Sequence, residues 1–148
     1  MNLEETSLLI ESSIQGLQVD PILCRTGKTG QWNLKIKDST VWVDVFNFQT
    51  NPEKWYIQIM SPLVPAPDMN KEAFYTDLAE INYQLYNVSL CKKENWIYVM
   101  HLRETEGLGQ TEIDRAIDRV AAYSTEYFGK LDFKYKNSWL PKPNANPN

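Results

Sequence analysis

The sequence predicts an α+β fold with the element order α-β-β-β-α-β-β-α. Three observations carry that prediction. Apolar residues recur at helical spacing in three stretches: near the amino terminus, in the middle of the chain and after Thr111. Between those stretches the period drops to two, in three runs and then in two more. The 148 residues, 43% apolar and 23% charged, suit one ordinary domain, which at this length buries about two-thirds of its unfolded surface around a single core.

The first helix starts at Asn2, with Glu5 three residues on in the capping-box arrangement, where each side chain satisfies an unpaired backbone N–H. Leu3, Ile10, Ile14 and Leu17 share a face that Leu8 and Leu9 widen. Gly16 then weakens the helix and Pro21 forbids its continuation. Trp32, Leu34 and Ile36 alternate with polar residues as a half-buried strand. Asp38-Ser39 turns the chain into Val41 to Phe48, which is apolar on both faces and so reads as a central strand or one bulged near Asp44. Trp55, Ile57 and Ile59 make the third alternation. Pro62, Pro65 and Pro67 lack donors, so Ser61 to Met69 is expected to be a stiff crossover rather than a strand.

Phe74, Leu78, Ile81 and Leu85 predict a helix from about Lys71 to Asn87, with Tyr75, Ala79, Tyr83 and Tyr86 widening its apolar circumference. Val88 to Lys93 and Trp96 to Leu102 read as a hairpin around Glu94-Asn95. Thr111 is expected to open the last helix. Ile113, Ala116, Ile117, Val120, Ala121, Ser124 and Phe128 form its buried stripe, and Gly129 is expected to end it. Leu131 to Lys136 alternates once more, as a strand would, and Pro141 to Asn148 is a Pro/Asn tail expected to be disordered. The organisation is therefore a domain over 1–130 and a C-terminal arm and tail over 131–148.

A net charge of −4 leaves no Lys/Arg surplus to neutralise phosphates, which argues against a nucleic-acid partner. No run approaches the roughly 20 apolar residues of a membrane span. The first residues carry two glutamates where a secretion signal needs positive charge, so the cytoplasm is the expected compartment. Cys24 and Cys91 read as separate reduced thiols. Gly27-Lys28-Thr29-Gly30 resembles the end of a phosphate loop, but Ile22 stands where the leading glycine is needed and a strand follows, so an exposed turn is expected. His101 is the one histidine and sits in a strand; with it and two distant cysteines, no metal-ligand spacing exists. A Cys91–His101 nucleophilic pair lacks any orienting third group. Asp114, Arg115, Asp118 and Arg119 interleave charges on a solvated helix face. No catalytic, cofactor-binding or metal site is therefore expected.

Five tryptophans and eight tyrosines are the compositional signal with functional weight, because these residues concentrate where apolar surface meets a partner. The element order from the Asn2 helix through Trp32 to Ile36, Val41 to Phe48, Trp55 to Met60, the Phe74 to Leu85 helix, the Val88 to Leu102 hairpin and the Ile113 to Phe128 helix resembles that of the class I type III secretion chaperones, the Tir-chaperone group, and the related bacterial YbjN-like proteins. The resemblance covers about Asn2 to Gly129 and is one of element pattern. It implies a twisted antiparallel sheet with helices packed mainly on one side. It also implies a non-enzymatic homodimer paired through the middle helix and a neighbouring strand, with apolar sheet patches that hold an extended client segment. On that footing Trp32, Trp42, Trp55 and Trp96 are the expected partner-binding residues, and Tyr75, Ala79, Tyr83 and Tyr86 the expected dimer interface. The alternative is a regulatory or sensory domain that binds a small ligand on the open sheet face.

Overall fold

The Asn2 capping box forms as its spacing dictates. The Asn2 side chain accepts from the Glu5 N–H at 2.9 Å, and the Glu5 carboxylate accepts from the Asn2 N–H at 3.0 Å. In the computed structural model, which describes residues 1–138, this box opens α1 (Leu3–Gly16). Pro21 stops that helix by starting another, the single turn α2 (Pro21–Cys24), whose N-cap is Asp20. Three strands follow, β1 (Gln31–Ile36), β2 (Ser39–Phe48) and β3 (Asn51–Pro65), then α3 (Lys71–Gln84), the hairpin β4 (Ser89–Lys93) and β5 (Trp96–Glu104), and α4 (Gln110–Tyr135). A short 3-10 turn, Lys136–Ser138, closes the described chain.

The strands form one antiparallel sheet in the order β1-β2-β3-β5-β4. Alternation assigns its faces. Trp32, Leu34, Val41, Val43, Val45, Ile57, Ile59, Ile97 and Val99 point to one side and are buried together with Ile10 and Ile14 of α1 and Ile113, Ile117 and Val120 of α4. Each fully buried aliphatic side chain stabilises the fold by about 1.5–3 kcal/mol relative to leaving it in water. Gly30 admits the chain into β1: its φ is +81°, and a Cβ there would lie 2.8 Å from the Val45 carbonyl oxygen.

Several expectations are corrected. Ser61 to Pro65 is strand, not crossover. β2 pairing ends at Trp42↔Met60, so beyond Met60 strand β3 has β5 as its neighbour, and prolines are tolerated where one side of a strand is free. A register shift between Pro62 and Val64 absorbs the misfit. The irregularity in β2 falls at Asn47/Phe48, beyond Asp44. Leu8 and Leu17 lie outside the core, because α1 is buried only along Thr6, Ile10, Ser13 and Ile14. α3 stops at Gln84, and α4 starts at Gln110 on the N-cap Gly109.

The largest correction concerns the C-terminal arm. Gly129 does not end α4, and Leu131 to Tyr135 is helix. Leu131 and Tyr135 are four residues apart, one helical turn, so they bury on the same face, while Phe133 swings out and is 87% exposed. Tyr135 packs edge-on against Phe74 of α3 with ring centroids 5.1 Å apart. Asp77 of α3 accepts from Lys134 at 2.7 Å and from the Tyr135 hydroxyl. The extension therefore docks on its own subunit. Phe128 likewise leaves the α4 stripe, and Tyr127 takes the buried position. Trp139, Leu140 and the Pro141–Asn148 tail lie outside the described residues.

Candidate protein-binding surfaces

In a strand pair, side chains directly opposite one another share a face. The register therefore lays out the side of the sheet opposite α1 and α4. One row runs Asn33, Trp42, Met60, Met100, Ser89, and the next runs Gln31, Asp44, Gln58, Leu102. Phe46 and Tyr56 lie opposite each other beyond them, and Cys91 and Tyr98 do so on the other side. The rings make contact: Trp42 with Tyr98 at 5.9 Å, Phe46 stacked on Tyr56 at 5.7 Å, and Phe48 edge-on to both. Most of these side chains are half-buried by one another, and Phe48, Trp96 and Leu102 are exposed. The result is an aromatic and methionine-bearing face across β2, β3 and β5.

Asp44 stands within this face. Burial among its neighbours pushes the carboxyl above the usual carboxylate range, and the Gln31 side chain and the more distant Lys28 and Lys93 pull it partly back.

The tryptophans singled out in the sequence divide between the two sides. Trp42 and Trp96 belong to the open face. Trp32 is 3% exposed on the helix-facing side, where its indole N–H donates to Glu11 at 3.1 Å, and Trp55 packs against the core from the same side. Composition alone missed Phe46, Phe48, Tyr56, Tyr98, Met60, Met100 and Leu102 as one surface. Their parity with Trp42 was readable in each strand, but the register that aligns the strands was not.

A second surface lies on α3. Tyr75, Ala79 and Tyr83 are exposed and line one shallow groove with Glu72, Thr76 and Glu80; Tyr83 is 93% exposed. Tyr86, just past the helix, is exposed as well, with the Arg119 guanidinium 4.8 Å above its ring. The inner side of α3 meets β4: Asn82 accepts from the Leu90 N–H at 2.7 Å and donates to the Leu90 carbonyl at 3.2 Å, which satisfies that edge position.

A cleft of about 560 Å³ lies between α1 and the segment leading into β1. Leu3, Leu8 and Trp32 line it beside the Glu11–Arg25 pair at 2.7 Å, and the exposed Gly27-Lys28-Thr29 turn forms its rim. The nucleophilic pair considered from sequence does not assemble. Cys91 lies opposite Tyr98 on the open face, whereas His101 is buried on the other, its Nδ1 3.0 Å from the Asn87 carbonyl. Burial raises the thiols of Cys24 and Cys91, which disfavours the reactive thiolate. No group of three or more His, Cys, Asp or Glu able to hold a metal occurs among the described residues, and no helix among them is long and apolar enough to cross a membrane.

By sequence the chain matches no family profile and no curated protein. By structure it is similar to a chain of the HopA1–SchA chaperone–effector complex, with a TM-score of 0.62 and 11% identity over 84% of this chain and 93% of that one. It is also similar to a chain of the ExsC–ExsE complex, again at 0.62 and 11%, over 86% and 93%. A third similarity is to the structure of the Yersinia pestis type III secretion chaperone SycH in complex with a stable fragment of YscM2, at 0.58 and 13%, over 81% and 97%. The fold is that of the class I type III secretion chaperones. At these identities the likeness carries the chaperone-like fold and not a client.

Proposed function

We propose that the protein is a non-enzymatic, homodimeric chaperone-like module of the bacterial cytoplasm that holds an extended segment of a client protein against its open sheet face. The observation that carries this reading is the sheet face that no described helix covers, on which Trp42, Phe46, Tyr56, Tyr98, Met100, Leu102 and Trp96 lie. Large exposed apolar patches of this kind mark interaction sites. The fold shared with a chain of a chaperone–effector complex and with a type III secretion chaperone in complex with a protein fragment supports it. Of the four tryptophans, Trp42 and Trp96 are the proposed client contacts. The exposed Tyr75, Ala79, Tyr83 and Tyr86 are the proposed contacts between subunits, because α3 has already buried Phe74 and Leu78 on its other side.

A stoichiometric protein should co-purify with the chain from its host. Trp42→Ala and Tyr98→Ala should each weaken that association by at least tenfold, as truncation of an aromatic anchor does, while the exposed Arg115→Ala leaves it intact. Equal retention by all three variants would refute the sheet-face reading. Ala79→Glu and Tyr83→Glu should yield folded monomers, since a partner would desolvate the new charge. Light scattering that finds the unmodified chain monomeric at micromolar concentration would refute the dimer.

A small-ligand reading is favoured not on the open sheet face but at the cleft beside α1, which is of a size that holds small molecules. A retained small molecule displaced by Leu8→Glu would support it over the first.

A further inference from the structure

We propose that Asp44 determines which segments this face accepts: the bound segment carries a lysine or arginine flanked by apolar residues, and its cation pairs with the Asp44 carboxylate. The inference rests on the sheet-face reading above and deepens it. Asp44 stands between Gln31 of β1 and Gln58 of β3 in register, with Trp42 and Phe46 two residues to either side on the same strand and face. It is half-buried, and among the described residues no lysine or arginine lies within ion-pairing distance of it. A segment laid across Trp42, Phe46 and Tyr56 would strip the remaining water from this carboxylate. A neutral or acidic side chain over it would leave a buried charge unpaired, which is strongly unfavourable, whereas a cation offsets the loss. Gln58, the cross-strand partner of Asp44, carries an amide oxygen that can serve as a further acceptor. Successive side chains on one face of an extended segment are about 7 Å apart, so a cation over Asp44 places its apolar neighbours over the rings on either side.

The test uses three labelled peptides of about ten residues, the length of an ordinary strand, alternating leucine and threonine, with lysine, norleucine or glutamate at the centre. Fluorescence anisotropy measures their binding to the full chain and to Asp44→Asn, with circular dichroism confirming that the variant folds. The lysine peptide should bind the unmodified chain about tenfold more tightly than the norleucine peptide, equivalent to about 1.4 kcal/mol, and the glutamate peptide should bind least. Asp44→Asn should bind the lysine and norleucine peptides alike. If the unmodified chain binds those two equally and Trp42→Ala weakens both, the sheet face binds peptides and the role of Asp44 is refuted. If no peptide binds, or Trp42→Ala changes nothing, the sheet-face reading falls and this inference with it.

Discussion

Replacing Gly129 with alanine should stabilise the protein. A glycine that ends a helix in the left-handed conformation resists alanine, while a glycine inside a helix is improved by it. Gly129 lies six residues before the end of α4 and has no positive φ, and a Cβ built there meets nothing within 4 Å. The gain is therefore the full helix-propensity difference of about 0.5–1 kcal/mol. At a urea dependence of about 2 kcal/mol per M, the midpoint should rise by roughly 0.3–0.5 M with an unchanged slope. The melting temperature should rise by about 2–3 °C. Proline at the same position should cost about 3 kcal/mol or more, since it removes a helical hydrogen bond and kinks the segment that buries Leu131 and seats Tyr135 against Phe74 of α3. Urea titration of both variants is the assay. A destabilising Gly129→Ala, or a harmless Gly129→Pro, would refute the continuous helix.

Gly30→Ala should act in the opposite sense and cost about 1–3 kcal/mol, because its φ is +81° and the new Cβ would press on the Val45 carbonyl; a urea midpoint at or above that of the parent would contradict this. The Lys134 ammonium, and then the Tyr135 hydroxyl, hold the Asp77 carboxyl below its ordinary range. That stability is present above the unfolded carboxyl value of about 3.9 and is lost as pH falls through the lower folded value. Asp77→Asn should thus be less stable than the parent at pH 6, with the gap closing as pH falls below the unfolded value; a gap that widens in acid would overturn the assignment. Replacing the buried Cys24 with alanine should cost about 1–3 kcal/mol and leave dimerisation and client capture unchanged in light scattering and co-purification.

The element order was legible because each long element has an undisturbed period: α1 through its capping box, β2 through Val41, Val43 and Val45, and α4 through Ile113 to Ser124. The C-terminal arm was not, because Leu131, Phe133 and Tyr135 alternate over too short a run to separate a strand from one turn of helix. Burial of Leu131 and Tyr135, with Tyr135 packed on Phe74, decided it. The prolines of β3 misled for a different reason. Whether a proline is tolerated depends on whether the strand has a neighbour on its N–H side, and that is a property of the sheet. The site was half legible. Trp42 and Trp96 could be placed on one face from parity within their own strands, but the burial of Trp32 against Glu11 depends on where α1 settles.

The sheet consists of two pieces that are each local in sequence, the meander β1-β2-β3 and the hairpin β4-β5, joined along β3 and β5 across the segment that contains α3. That joint closes the longest loop within the sheet, so it should form late and limit the folding rate. On a ribosome about 40 residues separate the end of β3 from the end of β5, roughly 2–8 s of synthesis at about 5–20 residues per second. During that interval the meander can fold while β3 has no β5 beside it, leaving a long edge open to an intruding strand. Crowded nascent chains are therefore at greatest risk of pairing with one another before Trp96 to Glu104 has emerged.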